Sequence, residues 1–244
     1  MSPSAALLVI VCAAFAVETA LGFGATVIVV ALGSLVTDLR ALLVSFVPVN
    51  LTLSLYLSAR YRHEVDVPTL TRRIVPWMLA GVPVGLILAR SLDERTLKAV
   101  FGVFVCALAA VELIRMRRAE TVTAGIAPWR AGALLTLAGV IHGAFATGGP
   151  LVVYVTSREI TDKARFRSTL SALWLVLNAI LVGVWWFEGR VGRQSLGVTF
   201  ALVPSLVGGV VFGEVMHRRV PDRAFRVVVY VALLAVGAVL VAKR

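Results

Sequence analysis

The sequence predicts an all-α polytopic membrane protein built from two homologous, inverted repeats. Each repeat has one glycine-broken, re-entrant helical segment and three transmembrane helices. An apolar composition, an internal repeat and the distribution of basic loop residues predict this fold. Of the 244 residues, 59% are hydrophobic and 15% are charged, whereas a soluble domain carries about 25% charged residues. Most of this chain is therefore expected to lie in lipid.

Continuous apolar runs recur along the chain, and most approach the ~20 residues that a helix needs to cross a ~30 Å hydrocarbon layer. Lipid offers no partners to backbone N–H and C=O groups, so such runs are expected to form helices. The first run continues to Val36 with no basic segment before it, which favours a retained membrane segment over a signal peptide. The runs cover residues 5–36, 41–59, 74–89, 96–114, 131–156, 168–187, 196–216 and 224–242.

The chain contains an internal repeat. Residues 76–107 align without a gap with residues 204–235, with nine identical positions. The same offset pairs Asn50 with Asn178, and an offset of 124 pairs Phe23-Gly24-Ala25 with Thr147-Gly148-Gly149. The repeat predicts an N-terminal half over 1–118 and a C-terminal half over 128–244. A basic linker region over 119–127, adjoining Arg117 and Arg118, joins them.

Basic residues in the loops favour re-entry of the two broken segments. If each broken segment crossed the membrane, the 24 Lys and Arg residues would divide equally between the two sides. If each enters and returns, sixteen of the 24 lie on one side, in loops 60–73, 115–130, 158–167 and 218–226. The positive-inside rule favours this second arrangement, with both termini periplasmic. Each half then crosses an odd number of times, so the repeats are inverted.

Glycine interrupts the first apolar run of each half. The breaks are Gly22-Phe23-Gly24-Ala25-Thr26 and Thr147-Gly148-Gly149-Pro150. Glycine permits the backbone to leave the helix, and proline suits the first turn of a new one. A restarting helix directs free N–H groups and its positive dipole end toward the break, which is the chemistry of an anion site. The alternative is that these glycines only allow close packing or a kink.

Polar side chains recur at equivalent mid-span positions. Ser171, Trp174 and Asn178 share one helix face at positions i, i+3 and i+7, and Ser45 and Asn50 lie in the corresponding span of the first half. Their amide and hydroxyl groups could donate to an oxyanion. Hydrogen bonding between helices is the alternative, since asparagine often does this in membranes.

Two ionisable residues, Glu18 and His142, precede the breaks at matching positions. An ionisable group inside a membrane is costly and is by default a functional candidate. Glu18 could accept a proton or a coupling ion, and histidine titrates near neutral pH. Alternatively, both lie near the head groups or are satisfied by neighbours.

The sequence does not contain the residues that several classes of function require. The formal charge of +11 comes from short loops, where basic residues set topology and meet anionic lipids, so nucleic acid is not an expected partner. The sequence has no HExxH pair, no paired-cysteine redox motif and no Walker loop, so an enzyme, a metal or a cofactor is not expected. Cys12 and Cys106 lie in apolar runs and are interpreted as core residues. Gly81-xxx-Gly85 and Gly209-xxx-Gly213 are interpreted as packing faces.

One stretch of the second half, HGAFATGGPLVV from His142, is followed by Phe166-Arg167-Ser168-Thr169. Together they resemble the signature of the sulfite exporter TauE/SafE family, in which a GGP stretch precedes an FR-(S/A)-T-type stretch. Gly22-Phe23-Gly24 and Arg40-Ala41 resemble the family's N-terminal repeat, and the resemblance covers essentially the whole chain. It implies that Arg167 is an anion partner. The sequence departs from the family at Ala25-Thr26, where a fuller glycine run is common.

The resemblance implies a secondary transporter of the bacterial inner membrane that exports small sulfur-containing anions such as sulfite, thiosulfate or sulfonates. A proton or a sodium ion is the expected coupling ion, and a homodimer is compatible with the sequence. Alternating access between two broken-helix tips is the expected mechanism. A passive anion channel, a carrier of non-sulfur organic anions and a membrane scaffold are the alternatives.

Overall fold

The computed structural model describes residues 3–21, 23–118, 126–219 and 222–242, and in these residues all regular secondary structure is helical. The all-α prediction is confirmed. A 3₁₀ turn, Arg62–Glu64, precedes α4, and α4 includes a π-helical turn at Leu70–Ile74. The helices are α1 (Ala5–Leu21), α2 (Ala25–Gly33), α3 (Leu39–Arg60), α4 (Val67–Ser91), α5 (Glu94–Arg118), α6 (Pro128–Phe145), α7 (Gly149–Thr156), α8 (Lys163–Phe187), α9 (Arg193–Arg219) and α10 (Asp222–Ala242).

Membrane-spanning helices dominate the fold. Among the described residues, α3, α4, α5, α8 and α9 are each long and apolar enough to cross a membrane. The apolar stretch Leu233–Ala242 lies within the 21-residue α10. The prediction of a polytopic membrane protein is therefore confirmed. The segment order of the first half recurs in the second, so that α1 to α5 correspond in sequence to α6 to α10.

Both broken segments form helical hairpins. A methyl group added to Gly33, at the end of α2, would lie 3.5 Å from Leu7 Cδ1 near the start of α1. In the second half, Pro128 at the start of α6 lines the same cavity as Thr156 at the end of α7. In both cases the second helix of the pair returns toward the beginning of the first.

The two hairpins enter the bundle from opposite ends of α4. At the root of the α1–α2 hairpin, Arg40 Nη2 donates to the carbonyl oxygen of Ala89, in the last turn of α4, at 3.0 Å. At the root of the α6–α7 hairpin, Arg72 and Trp77 from the first turns of α4 line a cavity with Pro128. The arrangement has the directions that inverted repeats require, although common ancestry of the halves stays a prediction.

Helices of one half pack on helices of the other. The main contacts join α4 to α6, α1 to α9, α3 to α8 and α5 to α10. Glycines allow two of these contacts. Methyl groups added to Gly81 and Gly85 would lie 2.1 and 2.0 Å from the carbonyl oxygens of Thr136 and Val140 on α6. Gly209 and Gly213 approach the carbonyl oxygens of Cys12 and Ala16 on α1 in the same way, at 2.6 Å. The predicted domain boundaries therefore do not separate independent packing units.

We expect Gly81→Ala to lower the free energy of unfolding by about 1–3 kcal/mol, because the added methyl group overpacks a backbone contact and separates α4 from α6. Gly183→Ala in α8 is the matched control, since nothing lies within 4 Å of its added methyl group. Thermal unfolding of both variants in detergent measures the difference. Equal stability of Gly81→Ala and the parent would contradict the close α4–α6 contact.

Candidate functional site

The tips of the two hairpins meet inside the bundle. A methyl group added to Gly149, at the start of α7, would lie 3.7 Å from Phe23 Cδ2 in the first break and 3.7 Å from Trp174 Cζ2 on α8. Residues from both tips and from α3 and α8 enclose one small cavity. Its lining residues are Glu18, Phe23, Gly24, Thr26, Asn50, Ala146, Thr147, Gly149, Trp174 and Asn178.

The tip cavity is narrow in this conformation. Its volume is about 20 Å³, and a single ordered water needs roughly 10–15 Å³ by the same measure. A sulfur oxyanion has several heavy atoms and needs more room than this. The lining side chains must therefore move apart before such an anion can occupy the cavity.

The start of α2 is capped by a carboxylate. Gly24 precedes the helix with φ 111°, a backbone angle that favours glycine. The next residue, Ala25, donates its N–H to Glu18 Oε2 at 2.9 Å, and Glu18 is only 4% exposed. A negative group at a helix N-terminus is stabilised by the free N–H groups and the helix dipole. Glu18 therefore occupies the anion-binding position that the sequence assigned to substrate at this tip.

The start of α7 has no such cap. Among the described residues, no side chain accepts a hydrogen bond from its first turn, and its N-cap residue, Gly148, has no side chain to do so. Pro150 lies buried in this turn and has no N–H group. The N–H groups of Gly149 and Leu151 are therefore the candidate donors to a ligand at this tip.

Two asparagines line the cavity from opposite helices. Asn50 on α3 donates to Thr26 Oγ1 at 3.0 Å. Within the described part of the chain, the amide oxygens of Asn50 and Asn178 are buried and have no hydrogen-bond partner. Buried polar atoms nearly always have partners, and an amide oxygen only accepts hydrogen bonds, so these oxygens indicate a place for water or another hydrogen-bond donor, while the amide nitrogens are the groups that can donate to an anion.

A family model and a curated relative match this chain. The model of the family described as sulfite exporter TauE/SafE matches residues 6–240. The chain belongs to the sulfite exporter TauE/SafE family. It is 28% identical over 165 residues to a curated protein of Comamonas testosteroni, "Probable inner membrane transporter protein TsaS", covering 67% of this chain and 68% of that protein. No solved structure matches.

His142 does not line the cavity of this TauE/SafE protein, although it corresponds in sequence to Glu18. It is fully buried and its ring stacks on Trp174, with 5.8 Å between ring centroids and an interplanar angle of 15°. Trp174 therefore separates His142 from the tip cavity. Across the described residues, no three His, Cys, Asp or Glu side chains group in a way that could hold a metal ion.

Several other predicted site residues lie outside the tip cavity. Ser45 donates to the carbonyl oxygen of Ala41 and lines a separate cavity beside Arg40. Ser171 donates to the carbonyl oxygen of Arg167. The Arg167 guanidinium lies over the Tyr61 ring at 4.8 Å.

Geometry explains why Arg167 and Gly148 do not line the tip cavity. Arg167 lies two turns before Trp174, about 10 Å along the helix axis. A methyl group on Gly148 would lie 2.4 Å from the carbonyl oxygen of Ala138, so Gly148 packs on α6. Gly22 lies outside the described residues.

Sequence reasoning missed Ala146, which lines the cavity and ends α6. Its φ is 53°, the left-handed region that alanine rarely adopts, and its N–H donates to the carbonyl oxygen of His142 at 2.7 Å. The residue type gives no signal for this conformation. The offset of 124 could have given one, because it pairs Ala146 with Gly22.

We expect Gly148→Ala to destabilise the protein by about 1–3 kcal/mol, because its methyl group would collide with backbone of α6. Gly149→Ala, one residue later, should fold with near-parent stability, because its methyl group makes ordinary contacts at 3.7–3.8 Å. Thermal unfolding of the two variants measures the contrast. Equal effects would show that the return from α6 to α7 differs from the one described.

Proposed function

We propose that this protein is a secondary carrier that exports small sulfur-containing anions, such as sulfite, thiosulfate or sulfonates, across the bacterial inner membrane. The single observation that carries the proposal is the meeting of two hairpin tips in one cavity, with the first turn of α7 uncapped by any described side chain. Discontinuous helices that meet in this way form substrate sites in other transporter folds. The family description supports sulfite-like cargo and export, and the name of the C. testosteroni relative supports the inner membrane.

The proposed anion site uses dipoles rather than cations. N–H groups of Gly149 and Leu151, the Thr147 hydroxyl and the amide of Asn178 would donate to the oxyanion. No Lys or Arg belongs to the described lining of the tip cavity. Hydrogen-bond donors without a fixed positive charge suit a carrier, because a bound anion must also be released.

Alternating access would come from movement of the hairpins against the long helices. A cavity of about 940 Å³ lies at the root of the α1–α2 hairpin, and one of about 270 Å³ lies at the root of the α6–α7 hairpin. The narrow tip cavity lies between them in the fold. Opening the tips toward one root at a time would carry an anion across without a continuous pore. The basic-loop count favours termini in the periplasm.

We expect thiosulfate or a simple sulfonate to raise the thermal stability of the purified protein in a concentration-dependent way, because a ligand that binds only the folded state stabilises it. Asn178→Ala should weaken this binding about tenfold or more, since a hydrogen bond to a charged group contributes ~1.5–3 kcal/mol. Ser171→Ala is the matched control on the same helix, because its hydroxyl is bonded to its own backbone.

Flux through proteoliposomes distinguishes the carrier from a channel. A carrier gives saturable thiosulfate efflux that is accelerated by thiosulfate on the opposite side. Ohmic current with no counter-transport would replace the carrier with a passive anion channel. Stabilisation by carboxylates alone would instead assign non-sulfur organic anions as substrates.

A further inference from the structure

The geometry points to a role for Glu18 as a tethered anion that competes with the substrate for the hairpin tips. This inference rests on the proposed function. The carboxylate occupies the α2 tip when the cavity is empty, and it must take up one proton before a substrate anion binds. Each transported anion is therefore accompanied by one proton.

The contact between Glu18 and α2 carries the inference. Glu18 Oε2 accepts the N–H of Ala25 at 2.9 Å, so the carboxylate lies at the positive end of a nine-residue helix. The same side chain lines the tip cavity and is 4% exposed. Glu18 is thus placed where a second anion would otherwise be stabilised by the α2 N-terminus.

Electrostatic repulsion makes the two anions exclusive. Glu18, Thr147 and Gly149 line the same tip cavity, so an oxyanion bound at the start of α7 would lie close to the Glu18 carboxylate even after the lining side chains move apart. Like charges this close in a low-dielectric interior cannot both stay ionised without a large penalty. A proton taken from water converts the carboxylate to a neutral carboxyl group. The neutral carboxyl group binds the N–H of Ala25 more weakly than the carboxylate does, so the substrate anion can displace it.

Other charged groups do not share this position. Helix α1 packs against α2 and α9. Helix α2 has no titratable side chain. Among the described side chains of α9, the charged ones are Arg193 in its first turn and the exposed Glu214. Glu18 is the titratable residue in the described lining of the tip cavity, because His142 lies behind Trp174.

The two tips therefore differ in function. The α7 tip has no tethered anion and offers its N–H groups at any pH. The α2 tip offers its N–H groups only after Glu18 is neutralised. The sequence repeat does not reveal this difference by itself, because His142, which is also ionisable, lies at the position that matches Glu18.

Calorimetric titration of the full-length protein with thiosulfate tests the inference, because thiosulfate keeps its charge between about pH 5 and pH 9, a range that covers documented values for buried glutamates. We expect the Kd to rise with pH by up to about tenfold per unit, the limit for one proton taken up per bound anion. Titrations in two buffers of different ionisation enthalpy should count that proton directly. In Glu18→Gln, whose amide oxygen can still accept from Ala25, both the pH dependence and the proton uptake should disappear.

Glu112→Gln is the matched control, because Glu112 pairs with Arg115 at 2.9 Å and does not line the tip cavity. It should keep the parent's pH dependence. Glu18→Asp is a second test that retains an ionisable group, and it should keep proton uptake on binding. Thermal unfolding identifies any variant that fails to fold. If Glu18→Gln fails to fold, proton uptake measured with Glu18→Asp is the remaining test.

The outcomes separate the two proposals. Absence of binding by thiosulfate and by sulfonates at every pH would overturn the proposed function, and the role of Glu18 with it. Thiosulfate binding to the parent with a pH-independent Kd would overturn the role of Glu18 alone. So would proton uptake that persists in Glu18→Gln, or binding that follows sodium concentration at fixed pH.

Discussion

Two helices begin in the middle of this protein, where lipid cannot satisfy their backbone N–H groups. This constraint explains much of the surrounding structure. A helix N-terminus at that depth is tolerated only where protein surrounds it or a polar cavity adjoins it. The starts of α2 and α7 meet this requirement by facing each other between α3 and α8. One is capped by Glu18, and the other has no side-chain cap among the described residues. Under the proposed function, stability and anion binding depend on the same few backbone groups.

The close helix contacts serve the same constraint. Gly81 and Gly85 bring α4 against α6, and Gly209 and Gly213 bring α9 against α1. In each case the first arm of a hairpin is held by a long membrane-spanning helix from the other half. Without hydrophobic attraction between helices in lipid, such van der Waals contacts between backbones are a main source of association. They fix the depth at which each hairpin turns.

The sequence predicted the helical class, the two breaks and much of the tip cavity. Asn50, Asn178 and the breaks were found because the repeat marks equivalent positions, and Phe23 and Gly149 do face each other. Sequence spacing did not show that Ser171 and Arg167 lie away from the tip cavity, because a shared helix face says nothing about depth along the axis. It also did not show that Gly148 packs on α6, because composition cannot distinguish a glycine that approaches backbone from one that borders a cavity. The Glu18 cap was not predicted, because it depends on the backbone conformation of the turn at Gly24, which sequence spacing does not give.

The pairing of each hairpin with a helix of the other half has a consequence for biosynthesis. Helix α1 is synthesised before its principal partner, α9, and seven helices separate the two in the sequence. The α1–α2 hairpin must therefore remain in the membrane, beside lipid or the insertion machinery, until α9 has been inserted. Folding of the first half cannot be completed during its own synthesis. A truncated chain that ends in the linker would expose both the glycine face of α4 and the polar tip of its hairpin, which are features that membrane quality control can recognise.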